Sequence, residues 1–332
     1  MRAFVCQVGS WCNAGFFFVD FFLSAEHNDA DYEIDRSLAL EIRLTSVLGN
    51  SQKLDGGSMF GNAPRTVWNG WVEADERGRI DLNCRCLLVE AGGLKVLCET
   101  GIGAFFEPKL AERYGVQDPE RHVLRENLQA SGFLPGEIDY VILSHLHFDH
   151  AGGLLPTYAE IQQGDQGLIF PKAQFVVGAR AWQRAQNPHL RDRASFIPGL
   201  CDKLEKSGRL LVVDEGQVPK ELAGILNFTI TDGHTPGQLH SWFGSGTGTV
   251  FFAGDLIPGQ AWIHLPITMG YDRFPEQLID EKEDILRRIV AERTLVFFTH
   301  DTRWAAAYID CDKNGRYVLA QGFASLKDWP LI

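Results

Sequence analysis

Three histidines and an aspartate fall within six residues of "LSHLHFDHAGG" (Leu143 to Gly153): His145, His147, Asp149 and His150. Neutral imidazole and carboxylate are borderline-to-hard ligands, suited to zinc, manganese or iron. On an extended turn alternate residues point the same way, so His145 and His147 can grip one ion while Asp149 and His150 turn toward a second. A two-ion site also needs a bridge and ligands that close each shell. Asp255 in "FFAGD" is the natural bridge, because a carboxylate has two oxygens. His234 in "TDGH" can complete the first ion and His300 in "FFTHD" the second.

The surrounding elements must bring these distant residues together. "IDYVILSH" is a continuous apolar run of strand length, the kind buried on both faces, and the first cluster begins where it ends. "AQFVVG", "RLLVVD", "ILNFTITDG", "TVFFAGD" and "TLVFFTHD" also read as strands, and His234, Asp255 and His300 stand at the ends of three of them. Strand tips meeting on one rim explain polar residues beside such apolar runs. Upstream, the alternation of Leu38 to Gly49 predicts a strand. Leu87 to Glu90, a Gly-Gly turn and Lys95 to Cys98 predict a hairpin. "DPERHVLRENLQASG" predicts a helix capped by Asp118, with Pro119 in its first turn and a stop at Gly132. "PEQLIDEKEDILRRIVAER" predicts a long amphipathic helix with Leu278, Ile285, Leu286 and Ile289 on one face.

The totals narrow the function. A chain of 332 residues, 45% hydrophobic and 22% charged, can bury a substantial core. Its formal net charge of -12 repels phosphate backbones and anionic membrane surfaces. That argues against nucleic acid as a partner, a local basic groove aside. The seven cysteines (6, 12, 84, 86, 98, 201 and 311) show no paired zinc-knuckle spacing and read as free thiols of a reducing compartment. "GFFFVDFFL" (Gly15 to Leu23) is too short for a bilayer, which needs about 20 apolar residues, so stable membrane insertion is not expected. Residues 1–37 read as an extension and 38–332 as the catalytic domain. The expected location is cytoplasmic, with secretion as the alternative because Arg2, Ser24 and Ala25 give the start some likeness to a signal peptide.

"SHLHFDHAGG", "TDGHTPGQ", "FFAGDLIP" and "FFTHD" resemble the successive motifs of the metallo-β-lactamase superfamily, from about Leu38 to the end. "LDGGSMFGNAPRTVW" and "IHLPITMGYD" resemble the branch that holds the quorum-quenching lactonases. The resemblance implies an α/β fold, an αββα sandwich with a dinuclear metal site at one edge of its two sheets. It implies two divalent ions, zinc first among them, and a hydroxide between them as nucleophile. Asp149 would orient that hydroxide and carry a proton to the leaving group. The implied substrate is a small ester, lactone or related molecule, acyl-homoserine lactones included, and a homodimer is left open.

Two departures stand out. Glu99 in "CETG" occupies a position where the family often has aspartate, and it can still hydrogen-bond behind a ligand. Leu256, Ile257 and Pro258 follow Asp255 where the lactonases tend to carry a substrate-contacting tyrosine, which leaves that task to Tyr271 or another donor.

Other residues have two readings each. Met59, Phe60 and Trp68 form either an apolar substrate wall or ordinary packing, and Phe148 is read as packing. Trp182 to Gly199 is a lid or a plain surface loop. His189, His240 and His264 are read as structural or solvated. Cys98 and Cys201 lack a base nearby in sequence and are not read as nucleophiles. Rival functions are a mononuclear iron oxygenase of the same fold, resembling the persulfide dioxygenases, and a β-lactam or phosphotriester hydrolase. A flavodiiron-type redox site and a metal-stabilised binding protein are further rivals.

Overall fold

Alternating side chains decide the layering of this protein, seen in a computed structural model that describes residues 41–331 apart from residue 247. A seven-stranded sheet has the order β15 (Trp329–Leu331), β1 (Ile42–Leu48), β4 (Arg85–Ala91), β5 (Leu94–Cys98), β6 (Tyr140–Leu143), β7 (Gln174–Gly178) and β8 (Leu210–Val213). A six-stranded sheet has the order β14 (Tyr317–Phe323), β13 (Ala306–Cys311), β12 (Leu295–Phe297), β11 (Gly248–Phe252), β10 (Gln238–Ser245) and β9 (Leu226–Thr231). A small third sheet pairs β2 (Gln52–Asp55) with β3 (Arg79–Leu82).

Successive residues of a strand face opposite sides, so each central strand feeds two cores. Tyr140 and Ile142 of β6 join Leu44, Val89, Phe252 and Phe297 between the two large sheets. Val141 and Leu143, their neighbours, face outward onto Leu124, Leu128, Trp182 and Leu204 of the outer helices. On the far side, Phe251 and Val296 meet Leu278, Ile285 and Ile289 of the helix Pro275–Glu292. The result is the αββα sandwich. The continuous apolar run of β6 reflects its place between β5 and β7, parallel to both and buried on both faces.

The predicted hairpin, long helix and strands are present. The hairpin turns through Gly92 and Gly93, both at positive φ. One boundary differs. The helix after Asp118 begins only at Val123, with His122 as its N-cap. Asp118 lies at φ +50° in a turn held from outside, where Asn50 Nδ2 donates to the carbonyls of Gln117, Asp118 and Arg121. A cap-and-proline signal cannot foresee a tertiary contact of that kind.

Lys282 lies on the apolar face of the long helix, fully buried. Its Nζ donates to the carbonyls of Ile267 (2.6 Å) and Trp262 (3.2 Å), and burial pushes its pKa down to about 7. It thereby ties the 262–267 loop to the helix. No helix among the described residues is long and apolar enough to cross a membrane. Residues 1–37, with "GFFFVDFFL", Cys6 and Cys12, lie outside the described residues, as does the start of the first predicted strand.

Candidate metal centre

The tips of β6, β9, β11 and β12 open on one rim, and all seven predicted ligands meet there, each 9% exposed or less. His145 follows β6, and His147 caps the short helix Phe148–Ala151 that carries Asp149 and His150. That helix is wedged against the segment after β5. A Cβ on Gly153 would stand 1.9 Å from the Thr100 carbonyl, which explains the glycines of "DHAGG". His234 sits in a loop pinned by the long helix, whose Glu281 accepts from the backbone of Asp232 and Gly233, both at 2.9 Å. Gly254, at φ +51°, turns the chain past Ser144 so that Asp255 reaches the rim. His300 donates its backbone N–H to the Pro258 carbonyl at 2.9 Å, which joins the β12 loop to the β11 loop.

The reactive atoms fall into two groups. In the first, His147 Nδ1 lies 3.0 Å from His145 Nε2 and 3.3 Å from His234 Nε2, and Asp255 Oδ2 lies 3.2 Å from His234 Nε2. In the second, His150 Nε2 and His300 Nε2 stand 3.3 Å apart and lie 3.3 and 3.1 Å from Asp255 Oδ1. Asp149 stands over this second group, 3.7 Å from each imidazole. Asp255 thus presents one oxygen to each group.

The opposite ring nitrogens explain why these lone pairs point inward. Nδ1 faces Ser144 Oγ at 2.9 Å in His145, Asp272 Oδ1 at 2.9 Å in His234 and the Asn83 carbonyl at 2.6 Å in His300. His150 Nδ1 faces Glu99 Oε2 at 3.4 Å, while the other Glu99 oxygen accepts the Ser144 N–H at 3.0 Å. A proton held at Nδ1 leaves the Nε2 lone pair free for a cation. His147 is reversed, with Nδ1 inward and its ring T-shaped against Phe196, centroids 5.0 Å apart.

Burial, then the neighbouring imidazoles, holds His145 and His147 well below the usual histidine range. For His150 and His300 burial acts the same way, but the facing carboxylates, Asp255 first, outweigh it and raise both. One inward atom, Asp255 Oδ1, is buried with no hydrogen-bond partner among the described residues. A buried carboxylate oxygen ringed by imidazole nitrogens is costly without a cation, so the donor set fits one. Among the described residues, three clusters have metal-ligand spacing: His145, His147, His234 and Asp255; Asp149, His150 and His300; and Glu99, His145 and His150. The last lies behind the rim, where Glu99 Oε1 is already committed to Ser144.

The cavity over the site has a volume of about 140 Å³ and is lined by Leu54, Met59, Tyr114, Phe148, Met269 and Tyr271, with Ala194, Ser195 and five of the rim residues, His147, Asp149, His234, Asp255 and His300. No lysine or arginine is in that lining among the described residues. A larger open cleft of about 870 Å³ touches His300 but none of the other six rim residues, so the chemistry belongs to the smaller cavity. Met59 is therefore a wall. Phe60 and Trp68 are packing, with Phe60 stacked between Trp68 and Trp262. Phe148 does both, since it lines the cavity and packs on Phe106 and Tyr114. Trp182 to Gly199 is partly helix, and its Ala194 and Ser195 edge the cavity. Leu256 and Ile257 face the outer core, whereas Tyr271 lines the cavity. Burial raises Cys98 well above the usual thiol range and Cys201 to about 11, so neither is a thiolate nucleophile. Gln52, Asn83, Tyr114 and Asp272 were not legible as site residues, because they act through backbone or across long sequence separations.

His189 and His264 are exposed, and His240 is buried on β10, its Nε2 2.8 Å from Thr231 Oγ1. Burial pushes the His240 pKa down to about 4. Its neutral form therefore stabilises the fold above about pH 6.5, and that contribution is lost as pH falls toward 4, about 3 kcal/mol in all. In urea unfolding, the stability difference between the wild type and His240→Asn should shrink steadily below pH 6.5. A gap independent of pH would refute this.

Comparisons with known proteins agree with this geometry. Residues 79–300 match the model of the metallo-beta-lactamase superfamily. The chain is 26% identical over 171 residues to an N-acyl homoserine lactonase of Bacillus sp, covering 43% of this chain and 67% of that protein. A probable metal-dependent hydrolase from Staphylococcus aureus superposes with a TM-score of 0.74 at 26% identity, over 85% of this chain and 98% of that one. AidC, a dizinc quorum-quenching lactonase solved with its product, shares the fold with a TM-score of 0.66 at 19% identity, over 86% and 98% of the two chains. The chain belongs to the metallo-beta-lactamase superfamily and is a metal-dependent hydrolase.

Proposed function

We propose that the protein is a two-ion hydrolase, with zinc as its metal, that opens a small uncharged ester or lactone, acyl-homoserine lactones among them. The observation that carries this is the Asp255 carboxylate, which turns one oxygen to His234 (3.2 Å) and the other to His150 and His300 (3.3 and 3.1 Å). His145, His147 and His234 would hold one ion, and Asp149, His150 and His300 the other. Bound there, two divalent ions supply a water that ionises near neutral pH and a Lewis acid for the scissile oxygen. A complete second ligand set counts against the single-iron oxygenase.

The remaining steps belong to the chain. The apolar wall of Leu54, Met59, Phe148 and Met269 excludes bulk water and holds an apolar substrate portion. Tyr271 offers a hydroxyl to the substrate carbonyl, in place of the tyrosine absent after Asp255. Asp149 receives the Gln52 amide at Oδ2 (2.7 Å), which leaves Oδ1 to take the nucleophile's proton and pass it to the leaving oxygen. The lack of lysine and arginine among the described lining residues disfavours an anionic substrate. The test is turnover of a panel of lactones, aryl esters, β-lactams and phosphotriesters on protein of measured metal content. Lactone or ester hydrolysis should dominate. Preference for phosphotriesters or β-lactams, or no turnover at all, would sink the substrate reading.

The domain reading is likewise a proposal: residues 1–37 are an extension outside a hydrolase domain of 38–332. It is supported by β1, whose partners β15 and β4 flank it on both sides within the described fold. A chain that starts at Leu38 should stay folded and active. Its precipitation, where the full chain stays soluble, would assign "GFFFVDFFL" to the core or to a subunit contact.

A further inference from the structure

Gln52 is fully buried on β2, a strand of the small sheet and of neither large one. Its Nε2 donates to Asp149 Oδ2 at 2.7 Å, across 97 residues of sequence. Among the described residues this hydrogen bond is the one made to the Asp149 carboxylate, since the nearest imidazole nitrogens of His150 and His300 stand 3.7 Å away. The helix that carries Asp149 has only four residues, so the side chain gains little orientation from its own element. Gln52 does not share that freedom. The Lys53 N–H donates to the Gly115 carbonyl at 3.0 Å, the Gln117 N–H donates to the Ser51 carbonyl at 2.8 Å, and β3 pairs along the other side. Asn50 is tied to three further carbonyls.

A buried primary amide is costly unless paired, and Gln52 Oε1 has no partner among the described residues. The amide is therefore half-satisfied, and its one bond is charge-assisted, to the carboxylate. A group that serves only packing would be better apolar at this position. Building on the two-ion reading above, we propose that Gln52 is a positioning residue that fixes the Asp149 carboxylate over His150 and His300 and so sets retention of the ion held there. The other ion's ligands, His145, His147 and His234, make no hydrogen bond with Gln52 and should not sense its loss.

The test uses two substitutions of the full chain. Gln52→Met keeps the length and loses the donor, and Gln52→Asn keeps the amide but withdraws it by one methylene. Zinc is titrated into metal-free protein against a competing chelator, and the melting temperature of the metal-free protein is recorded beside it. The parent should show two sites. In both variants one site should weaken by about 10–100-fold, the usual effect of losing a partner behind a ligand, while the other stays within about twofold and the metal-free melt is preserved. Unchanged affinity at both sites would overturn the proposal. Equal weakening of both, with a lowered metal-free melt, would also overturn it by showing a general structural role. A parent that takes up one zinc per chain would instead bring down the two-ion reading, and this proposal with it.

Discussion

His147→Ala is expected to abolish hydrolysis by several orders of magnitude and to release one of the bound ions. Nδ1 of this residue is the central atom of the first group, 3.0 Å from His145 Nε2 and 3.3 Å from His234 Nε2. Its removal leaves two imidazoles and a shared carboxylate oxygen, an open shell for a cation that prefers four ligands. Burial keeps the imidazole neutral, so protonation does not compete for the ring. Metal content and turnover of the purified variant check this together. Near-normal activity with full occupancy would refute the assignment of His147 as a ligand.

Asp255→Asn and Asp149→Asn are expected to fail differently, although both replace a carboxylate on the same rim. Asp255 serves both groups of ligands, one oxygen to each. Burial alone would raise its pKa, but His150, His234 and His300 outweigh that and hold it well below the usual carboxylate range. An amide at this position bridges poorly and removes the charge that offsets two cations, so Asp255→Asn should lose both ions. Asp149 serves one group only and keeps the Gln52 amide on one oxygen. Asp149→Asn should therefore retain more metal and lose turnover. The deficit should be largest for substrates whose leaving oxygen needs a proton and smallest for activated aryl esters. Metal stoichiometry and a leaving-group series on both variants decide the matter. Equal metal loss, or an Asp149→Asn deficit independent of leaving-group pKa, would contradict the proton-carrier role.

The candidate ligands stood out in the sequence, and the residues that hold them did not. The candidates among His145 to His150 were legible because four side chains of ligand type crowd one strand end, and His234, Asp255 and His300 because each ends an apolar run. The layering was legible for a related reason, since strands buried on both faces require helices outside. The partners behind the ligands leave no such mark. Asn83 acts on His300 through a backbone carbonyl, which any residue could supply. Asp272 reaches His234 from 38 residues away and Gln52 reaches Asp149 from 97. Lys282 sits at a core position of an amphipathic helix, where periodicity calls for an apolar residue. The wrong helix start at Asp118 has the same origin, because contacts from Asn50 override a local capping signal.

In the proposed two-ion hydrolase, both ions share Asp255 and hydrolysis needs both. Metal-free protein should be reconstituted with zinc in measured steps, with bound metal and lactone turnover followed in the same samples. Activity should rise with occupancy of the second site and reach its plateau at two zinc ions per chain. Full activity at one ion per chain, or activity that appears with a single iron and never with zinc, would contradict it.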